Sequence, residues 1–405
     1  MHYFHYKDNH FYCEDVDLLK VAEEVSTPCY VYSLKTFRNH FNKLRAAFSY
    51  LDPFICYSAK ANSNLTLLNA IKELDGGLDV VSGGELFKAQ KVGFDSGRIV
   101  YAGVGKTEHE LKKALEAGIY LFNVESESEL RQIDRLAGIL GITQKVALRF
   151  NPYIKAPTHR FIRTAGVKDK FGIDRSTILK LFLHKKEFKN VEIVGIHVHI
   201  GSQIMISTPF VKAIKKVSFL IRDLRRDGHR IELLDIGGGL AAQYKKEENP
   251  NTAEQFAKAV GPFLKSLKLR IIIEPGRFIV ANAGVLLTRI IHTKKTPCKN
   301  FLVTDAGMHS FMRPALYGGY HEVMPIVLKG EEKKKYDVVG PICESGDFLA
   351  RDRMLPEIKE GDFIAIMGAG AYGYSMASNY NSHPLPAEVV ISRDRFSVVK
   401  PRQDY

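Results

Sequence analysis

The chain has 405 residues, of which 45% are hydrophobic and 25% charged, and its formal net charge is +13. This length is too great for one small core and predicts one large domain of about 250 residues plus a smaller one. The positive charge does not indicate nucleic-acid binding, because the basic residues are scattered among acidic ones, as in ELKKALEAG.

The amino-terminal residues indicate neither export nor a membrane anchor. The opening MHYFHYKDNHFYCEDVDLLK contains no cationic leader and no continuous apolar segment, so we expect no secretory signal and a cytoplasmic protein. No run of about 18 apolar residues occurs anywhere, which argues against a membrane-spanning helix. The cysteines form no CxxC pair and no metal-ligand spacing, so reduced thiols are expected at Cys13, Cys29, Cys56, Cys298 and Cys343.

Strand and helix patterns alternate over residues 30–280. Amphipathic stretches such as TEHELKKALEAG and FVKAIKKVSFLIRDLRRDG separate the β-rich runs. This alternation predicts an α/β fold with a TIM (β/α)8 barrel, and an open doubly wound sheet is the alternative because periodicity cannot show closure. The eight predicted strands are FICYSAK, LDVVSGGE, RIVYAG, LFNVES, KVALRFNP, VGIHVHIGSQ, IELLDIGGG and RIIIEP.

After Pro275 the pattern changes to β-rich segments with glycine and proline between them, such as GVLLTRIIHTK, NFLVTDAG and DFIAIMGAGAYG. This change predicts a C-terminal β domain, β-barrel-like, over residues 281–405. Residues 1–29 are expected to contribute a strand and a helix to it, and residues 30–280 to form the barrel.

The first predicted barrel strand ends at Lys60, in YSAKANSN. A single lysine is most often a surface charge. At the end of a barrel strand, however, its amine would point into the barrel mouth, where partial desolvation favours Schiff-base formation. Lys60 is therefore a candidate catalytic residue.

The sixth predicted strand contains His197 and His199, which share one side by the two-residue period of a strand. Two histidines could bind a metal, but no acidic residue or cysteine nearby completes a ligand set, and no metal is expected. A flat imidazole against a flat cofactor ring is the favoured interpretation, with Ser202 placed to bind a phosphate.

The last two predicted strands end in LLDIGGGLAAQY and IIIEPGRF. The triplet Gly237, Gly238 and Gly239 would let backbone amides approach an anion closely, although many such triplets are only turns. Glu274 and Arg277 would reach the same rim, where arginine could hold an anion and glutamate a cationic nitrogen.

The predicted β domain contains three further candidate segments, each of which could instead be structural. GMHSFMRPALYGGYH contains Arg313 and Tyr317, GPICESGD contains Cys343 and Glu344, and GAGAYGYSMASNYN contains Tyr372. A cysteine in such a place is often only a small buried residue.

In chain order, YSAKANSN, KFGI, HVHIGSQ, DIGGG, EPGR, RPALY, CESGD and AYGYSMASNYN closely resemble the diaminopimelate decarboxylases. These are pyridoxal-phosphate enzymes of the alanine racemase barrel type. The resemblance covers residues 25–400. The ordered set is highly specific, whereas the glycine triplet or EPGR alone would not be.

The resemblance implies the following contacts with pyridoxal 5'-phosphate. Lys60 would carry the cofactor, His199 would stack on the pyridine ring, and Glu274 would pair with the ring nitrogen. Ser202 and Gly239 would hold the phosphate, and Arg277 would lie between phosphate and substrate. Further expected cofactor contacts are Asp79, Gly238, Gly276 and Tyr372.

The resemblance also implies the substrate and its contacts. Arg313 and Tyr317 would hold the distal carboxylate of meso-2,6-diaminopimelate, and Glu344 its distal ammonium group. Cys343 would donate a proton from the partner subunit of a head-to-tail homodimer. Further substrate contacts would be Arg277 and Tyr372. The implied activity is a carboxy-lyase that forms L-lysine and carbon dioxide in the last step of lysine biosynthesis.

Elementary chemistry favours decarboxylation over racemisation. The cofactor delocalises a carbanion best when its pyridine nitrogen is protonated, and a carboxylate at Glu274 favours that form. A racemase of this fold class is expected to have an arginine there.

Two alternatives stay open on the sequence. One is a decarboxylase of another basic amino acid or of carboxynorspermidine, and the other is a non-catalytic regulatory homologue. The Arg313 and Tyr317 pair argues against the first, and retention of Lys60 and Cys343 against the second. The chain departs from the family at Thr164–Ala165, where a Gly often follows Thr or Ser, and at His383, commonly an arginine.

Overall fold

The computed structural model describes residues 2–154, 158–162, 164–166, 169–330 and 332–405. Contacts divide the chain into two compact units. The barrel unit comprises Phe41–Ala241 and Pro250–Gly276, and the β unit comprises Met1–His40, Ala242–Asn249 and Arg277–Tyr405. Within the described ranges, no helix combines the length and the apolar character that crossing a membrane requires.

The chain begins with a small antiparallel sheet of β1 (Phe4–Lys7), β2 (His10–Cys13) and β3 (Val16–Asp17). Helix α1 (Leu18–Val25) starts where the Asp17 carboxylate accepts the Leu19 amide at 2.9 Å, as expected of an N-cap residue. Strand β4 (Cys29–Ser33) and helix α2 (Leu34–Ala47) follow.

Eight parallel strands of the barrel unit form a closed barrel. Closure occurs where the last strand pairs with the first, through Ile272 with Phe54 and Ile273 with Ile55. The predicted (β/α)8 barrel is therefore confirmed, and the open doubly wound sheet is wrong. The strands are β5 (Phe54–Ser58), β6 (Gly77–Val80), β7 (Ile99–Tyr101), β8 (Leu121–Val124), β9 (Gln144–Arg149), β10 (Val191–His197), β11 (Leu233–Asp235) and β12 (Arg270–Ile273).

Amphipathic helices connect the barrel strands. Several begin at side chains that cap the first turn, and capping boxes are present at Thr107 with Glu110 and at Thr252 with Gln255. Gly118 in the left-handed conformation ends one of them. The helices are α3 (Leu65–Glu73), α4 (Gly83–Lys91), α5 (Glu108–Ala117), α6 (Glu127–Leu140), α7 (Arg175–Leu183), α8 (Thr208–Arg226) and α9 (Ala253–Leu267).

The rest of the β unit consists mainly of strands. The strands are β13 (Gly284–Lys295), β14 (Asn300–Thr304), β15 (Val323–Pro325), β16 (Lys333–Val339), β17 (Phe348–Pro356), β18 (Phe363–Ile366), β19 (Ala387–Ser392) and β20 (Arg395–Lys400). Two short helices, α10 (Arg277–Val280) and α11 (Arg313–Tyr317), precede β13 and β15. The sheet order is β17-β16-β14-β13-β4-β19-β20, and β18 pairs with β13 and β15.

The opening segment contributes β4 to the centre of this sheet. The strand is antiparallel to β13 and parallel to β19, with Val31 opposite Val285 and Val389. All five of its residues are buried, because it has a neighbour on each side. This contribution continues past residue 29, the boundary that the sequence pattern predicts.

Candidate active site

Lys60 lies directly after β5, in a short 3-10 turn. Its Nζ donates a hydrogen bond to Oδ2 of Asp79 on the neighbouring strand at 2.6 Å, and the Ser58 hydroxyl donates to the same oxygen at 2.5 Å. Burial raises the pKa of Asp79 and the charge of Glu274 adds to the rise, while Lys60 opposes it. The amine is thus held by a fully buried carboxyl group, although the lysine side chain is itself 33% exposed.

Glu274 lies immediately after β12 and carries the negative charge of this site. Its Oε1 accepts Nδ2 of Asn123 at 3.0 Å, and its Oε2 lies 3.4 Å from Nε2 of His197. Burial alone would raise the pKa of Glu274, but His197 and Lys60 outweigh it and lower the pKa. Burial and the Glu274 charge raise the pKa of Asp235 well above its usual range. The charge is therefore concentrated on Glu274.

The glycine triplet follows β11 and leaves no room for side chains. A Cβ atom at Gly238 would lie 2.1 Å from the carbonyl oxygen of Glu274. At Gly239, where φ is +110°, it would lie 2.5 Å from the carbonyl oxygen of Gly201. Only glycine fits such positions, so the backbone itself forms this part of the rim.

His199 lies two residues beyond the end of β10 and is a neutral ring. Its Nδ1 accepts the Gly238 amide at 3.1 Å, so the proton of the neutral ring is on Nε2. Burial, and then the charges of Arg149 and Lys60, lower the pKa of His199 well below its usual range. The Thr164 hydroxyl donates to the His199 carbonyl at 3.0 Å. His199 therefore offers a flat, uncharged face, whereas His197 faces Glu274.

Ser202 and Gly276 complete the barrel rim. The Ser202 amide donates to the carbonyl of Ile162 at 3.0 Å, and its own carbonyl accepts the Thr158 hydroxyl at 2.7 Å. A Cβ atom at Gly276 would lie 3.0 Å from Cβ of Ser58. The backbone of both residues is therefore fixed by close neighbours.

In the β unit, Arg277 and Arg313 form a buried arginine pair. Nη1 of Arg277 donates to the Tyr244 hydroxyl at 2.7 Å, and its guanidinium lies 4.8 Å from the centre of the Tyr372 ring. The Arg313 guanidinium lies 5.0 Å from the Tyr244 ring and 5.8 Å from the Tyr317 ring. Such cations, backed by aromatic faces, are suited to binding anionic groups.

Cys343 and Glu344 are exposed in the loop between β16 and β17. The Tyr380 hydroxyl donates to Oε2 of Glu344 at 3.0 Å, and Asn381 accepts the Cys343 amide at 3.4 Å. In the described part of the β unit, no hydrogen bond or ring contact joins either residue to Arg313. The structure thus brings together Arg277, Arg313, Tyr317 and Tyr372, but not Cys343 and Glu344.

Sequence reasoning missed four residues of these clusters. Asn123 and Asp235 are polar residues in apolar strands, a pattern that signals a buried functional or structural contact. Tyr244 follows the glycine triplet in GGGLAAQY, and His321 follows RPALYGGY. Their contacts could not be foreseen from the sequence, because both lie far along the chain from at least one of their partners.

Four buried polar atoms at the barrel mouth have no hydrogen-bond partner in the described ranges: Oδ1 of Asp79, Oδ1 of Asn123 and both ring nitrogens of His197. The 3.4 Å approach of His197 to Glu274 allows electrostatic attraction but does not meet hydrogen-bond geometry. Most buried polar atoms in proteins are paired. This polarity is typical of a site that receives a polar ligand.

Comparisons with known proteins agree with this chemistry. Residues 34–281 match the family model described as the pyridoxal binding domain of pyridoxal-dependent decarboxylases. The diaminopimelate decarboxylase of Aquifex aeolicus is 43% identical over 100% of this chain and 96% of its own length.

Two solved structures are similar throughout. The diaminopimelate decarboxylase of M. jannaschii, in co-complex with L-lysine, has a TM-score of 0.95 and 37% identity, covering 99% of this chain and 95% of its own. The Helicobacter pylori enzyme, complexed with L-lysine, has a TM-score of 0.92 and 39% identity, covering 96% of this chain and 97% of its own.

The barrel rim fits pyridoxal phosphate. The cofactor has an aldehyde, a flat ring with a basic nitrogen, and a phosphate group. The amine of Lys60 matches the aldehyde, and the neutral imidazole of His199 matches the flat ring. The ionised carboxylate of Glu274 matches the ring nitrogen, and the glycine-lined backbone matches the phosphate. Because the family model and relatives along the full length agree with that fit, the chain belongs to the pyridoxal-dependent decarboxylases and, among them, to the diaminopimelate decarboxylase family.

Proposed function

We propose that this protein decarboxylates meso-2,6-diaminopimelate to L-lysine and carbon dioxide, with pyridoxal phosphate as its cofactor. The observation that carries the proposal is the buried carboxylate of Glu274 at the end of β12, whose Oε2 lies 3.4 Å from Nε2 of His197. A carboxylate beside the ring nitrogen favours its protonated form. When bound, the cofactor supplies an electron sink for the carbanion that remains after carbon dioxide leaves.

The barrel residues would hold this cofactor as follows. Lys60 would carry it covalently, with Asp79 orienting the amine through their 2.6 Å hydrogen bond. Glu274 would keep the proton on the ring nitrogen, and His199 would support the ring face. Ser202 and Gly239 would hold the phosphate, Arg277 would lie between phosphate and substrate, and Gly238, Gly276 and Tyr372 would be further cofactor contacts.

The β-unit residues would select the substrate. Arg313 and Tyr317 would bind the carboxylate at the end of the molecule that does not react, and Glu344 would bind the ammonium group beside it. Arg277 would be a further substrate contact. Cys343 would return a proton to the carbon that has lost its carboxyl group. Both arginines are buried, so a matching carboxylate would gain strong charge-assisted hydrogen bonds there.

We further propose that two subunits share each site, with Cys343 and Glu344 supplied by the partner. Their exposure supports this arrangement. A closed dimer would supply one such loop to each of two sites.

A cytoplasmic location is also proposed. Its support is that all five cysteines are present as thiols and none forms a disulfide. Reduced cysteines are the usual state in the cytosol.

A substrate panel tests the proposed activity. Purified holoenzyme is expected to release carbon dioxide from meso-diaminopimelate with the highest kcat/KM in a panel that includes L-lysine, L-ornithine, L-arginine and carboxynorspermidine. L-Lysine should accumulate in equal amount to the gas. A preference for ornithine, arginine or carboxynorspermidine would assign the chain to another decarboxylase, and no release from any of them would favour a regulatory homologue.

Subunit mixing tests the shared site. Lys60→Ala and Cys343→Ala proteins, each inactive, are unfolded and refolded together. Random pairing makes half of the dimers hybrids with one intact site out of two, so about a quarter of wild-type activity should return. Each variant refolded alone is the control, and differently tagged chains verify hybrid formation. If hybrids form without any gain in activity, each site is built within one chain.

A further inference from the structure

We propose that His321 is a positioning residue for substrate recognition. It holds the Nε side of Arg313, so that the two terminal nitrogens of the guanidinium face the substrate's distal carboxylate. This inference rests on the proposed function and deepens it, since it identifies what orients the group that selects a dicarboxylic substrate.

The hydrogen bonds of the His321 ring fix its tautomer. Nδ1 lies 2.8 Å from the carbonyl oxygen of Met367, which can only accept, so Nδ1 carries the proton. Nε2 is then an acceptor, and Nε of Arg313 donates to it at 3.3 Å. The carbonyl group of Met367 thereby fixes the His321 tautomer that presents an acceptor nitrogen to Nε of Arg313.

Close packing keeps the ring in this orientation. His321 is 0% exposed, and its ring centre lies 4.6 Å from that of Phe311 and 5.0 Å from that of Tyr244, both nearly edge to face. Burial and the charge of Arg313 lower the pKa of His321 well below its usual range, so the ring stays neutral and able to accept. Tyr244 also lies beneath the Arg313 guanidinium, at 5.0 Å.

The contact leaves the fork of Arg313 available. An arginine has five N–H groups, and the one on Nε is used by His321. In the described part of the chain, no carboxylate lies within ion-pair distance of Arg313, which is only 6% exposed. A buried cation without a counter-ion is unfavourable. A substrate carboxylate bound end-on by the two terminal nitrogens would supply the missing partner.

L-Lysine and a diamine that lacks its carboxylate make a pair of probes. Loss of one carboxyl group from diaminopimelate leaves L-lysine, which retains the carboxylate at the end that did not react. The diamine 1,5-diaminopentane has the same spacing between its two amino groups and no carboxylate. Binding of L-lysine should therefore depend on the orientation of Arg313, and binding of the diamine should not.

Two substitutions separate positioning from structural support. In His321→Gln the amide oxygen can occupy the place of Nε2 and still accept from Arg313, whereas in His321→Asn the amide reaches only the place of Nδ1. Calorimetry on the holoenzyme should show L-lysine binding weakened about ten- to a hundredfold in His321→Asn, since a hydrogen bond to a charged group is lost. Binding in His321→Gln should stay within about threefold of wild type, and diamine binding within about twofold in both.

A double mutant tests whether the effect passes through Arg313. Adding His321→Asn to Arg313→Ala should not change the ratio of L-lysine to diamine affinity further. The inference is overturned if His321→Asn and His321→Gln weaken the binding of both ligands equally, or if neither changes the ratio of L-lysine to diamine affinity. It is also overturned if His321→Asn and Arg313→Ala act additively on that ratio. The proposed function would instead be refuted if the wild-type protein released no carbon dioxide from meso-diaminopimelate. The binding measurements do not require turnover, so the two failures can be told apart.

Discussion

Replacing Lys60 by alanine is expected to lower kcat/KM for meso-diaminopimelate by at least about a thousandfold, which corresponds to about 4 kcal/mol of lost transition-state stabilisation. The amine lies at the carboxyl end of β5, 2.6 Å from the buried Asp79, and we propose it as the covalent attachment point of the cofactor. Alanine removes that attachment and the amine that exchanges with the substrate. Initial rates of carbon dioxide release measure the effect.

The matched control is Lys72→Ala. Lys72 is an exposed lysine on α3 whose Nζ donates to the Val92 carbonyl, so its loss should leave the rate within about twofold of wild type. Retention of more than about a tenth of the activity in Lys60→Ala would mean that another residue carries the cofactor.

Arg313→Ala is expected to reduce kcat/KM for meso-diaminopimelate by roughly thirtyfold to several thousandfold. Losing one partner of a desolvated, charged hydrogen bond costs about 2 to 5 kcal/mol, and about 1.4 kcal/mol is a factor of ten. Arg313 is buried against the Tyr244 and Tyr317 rings, so solvent cannot replace its contacts. The value of kcat/KM for L-lysine, which has no second carboxylate, should change much less.

Arg175→Ala provides the control for this experiment. Arg175 forms an exposed ion pair with Asp223, and such pairs contribute about 0 to 1 kcal/mol. The comparison is kcat/KM for both substrates in wild type and both variants. If Arg313→Ala harms both substrates equally, Arg313 does not bind the distal carboxylate and only a general decarboxylase assignment survives.

Local pattern was sufficient to predict the barrel strands but not their closure. Each of the eight predicted runs overlaps one strand of the barrel, although β6, β9 and β10 begin before their runs. Closure depends on the pairing of Ile272 with Phe54, more than 200 residues apart, and hydrophobic periodicity describes only neighbours along the chain. Likewise, nothing local indicated that residues 242–249 would join the β unit.

The same limit applies to the site. Lys60 and the glycine triplet could be predicted because strand ends and glycine runs are local signals. The different environments of His197 and His199 could not be predicted, because they depend on Glu274 and Gly238, which follow other strands. Tyr244 and His321 escaped for the same reason, since their partners Arg277, Arg313 and Met367 come from separate segments.

The central claim is that Lys60 holds the cofactor covalently, and borohydride reduction tests it most directly. Reduction of the holoenzyme, followed by proteolysis and peptide mass spectrometry, should place the pyridoxyl group on the peptide that contains YSAKANSN, at Lys60. The Lys60→Ala protein treated in the same way should carry no such label. A pyridoxyl group on any other lysine of the wild-type protein would contradict the account.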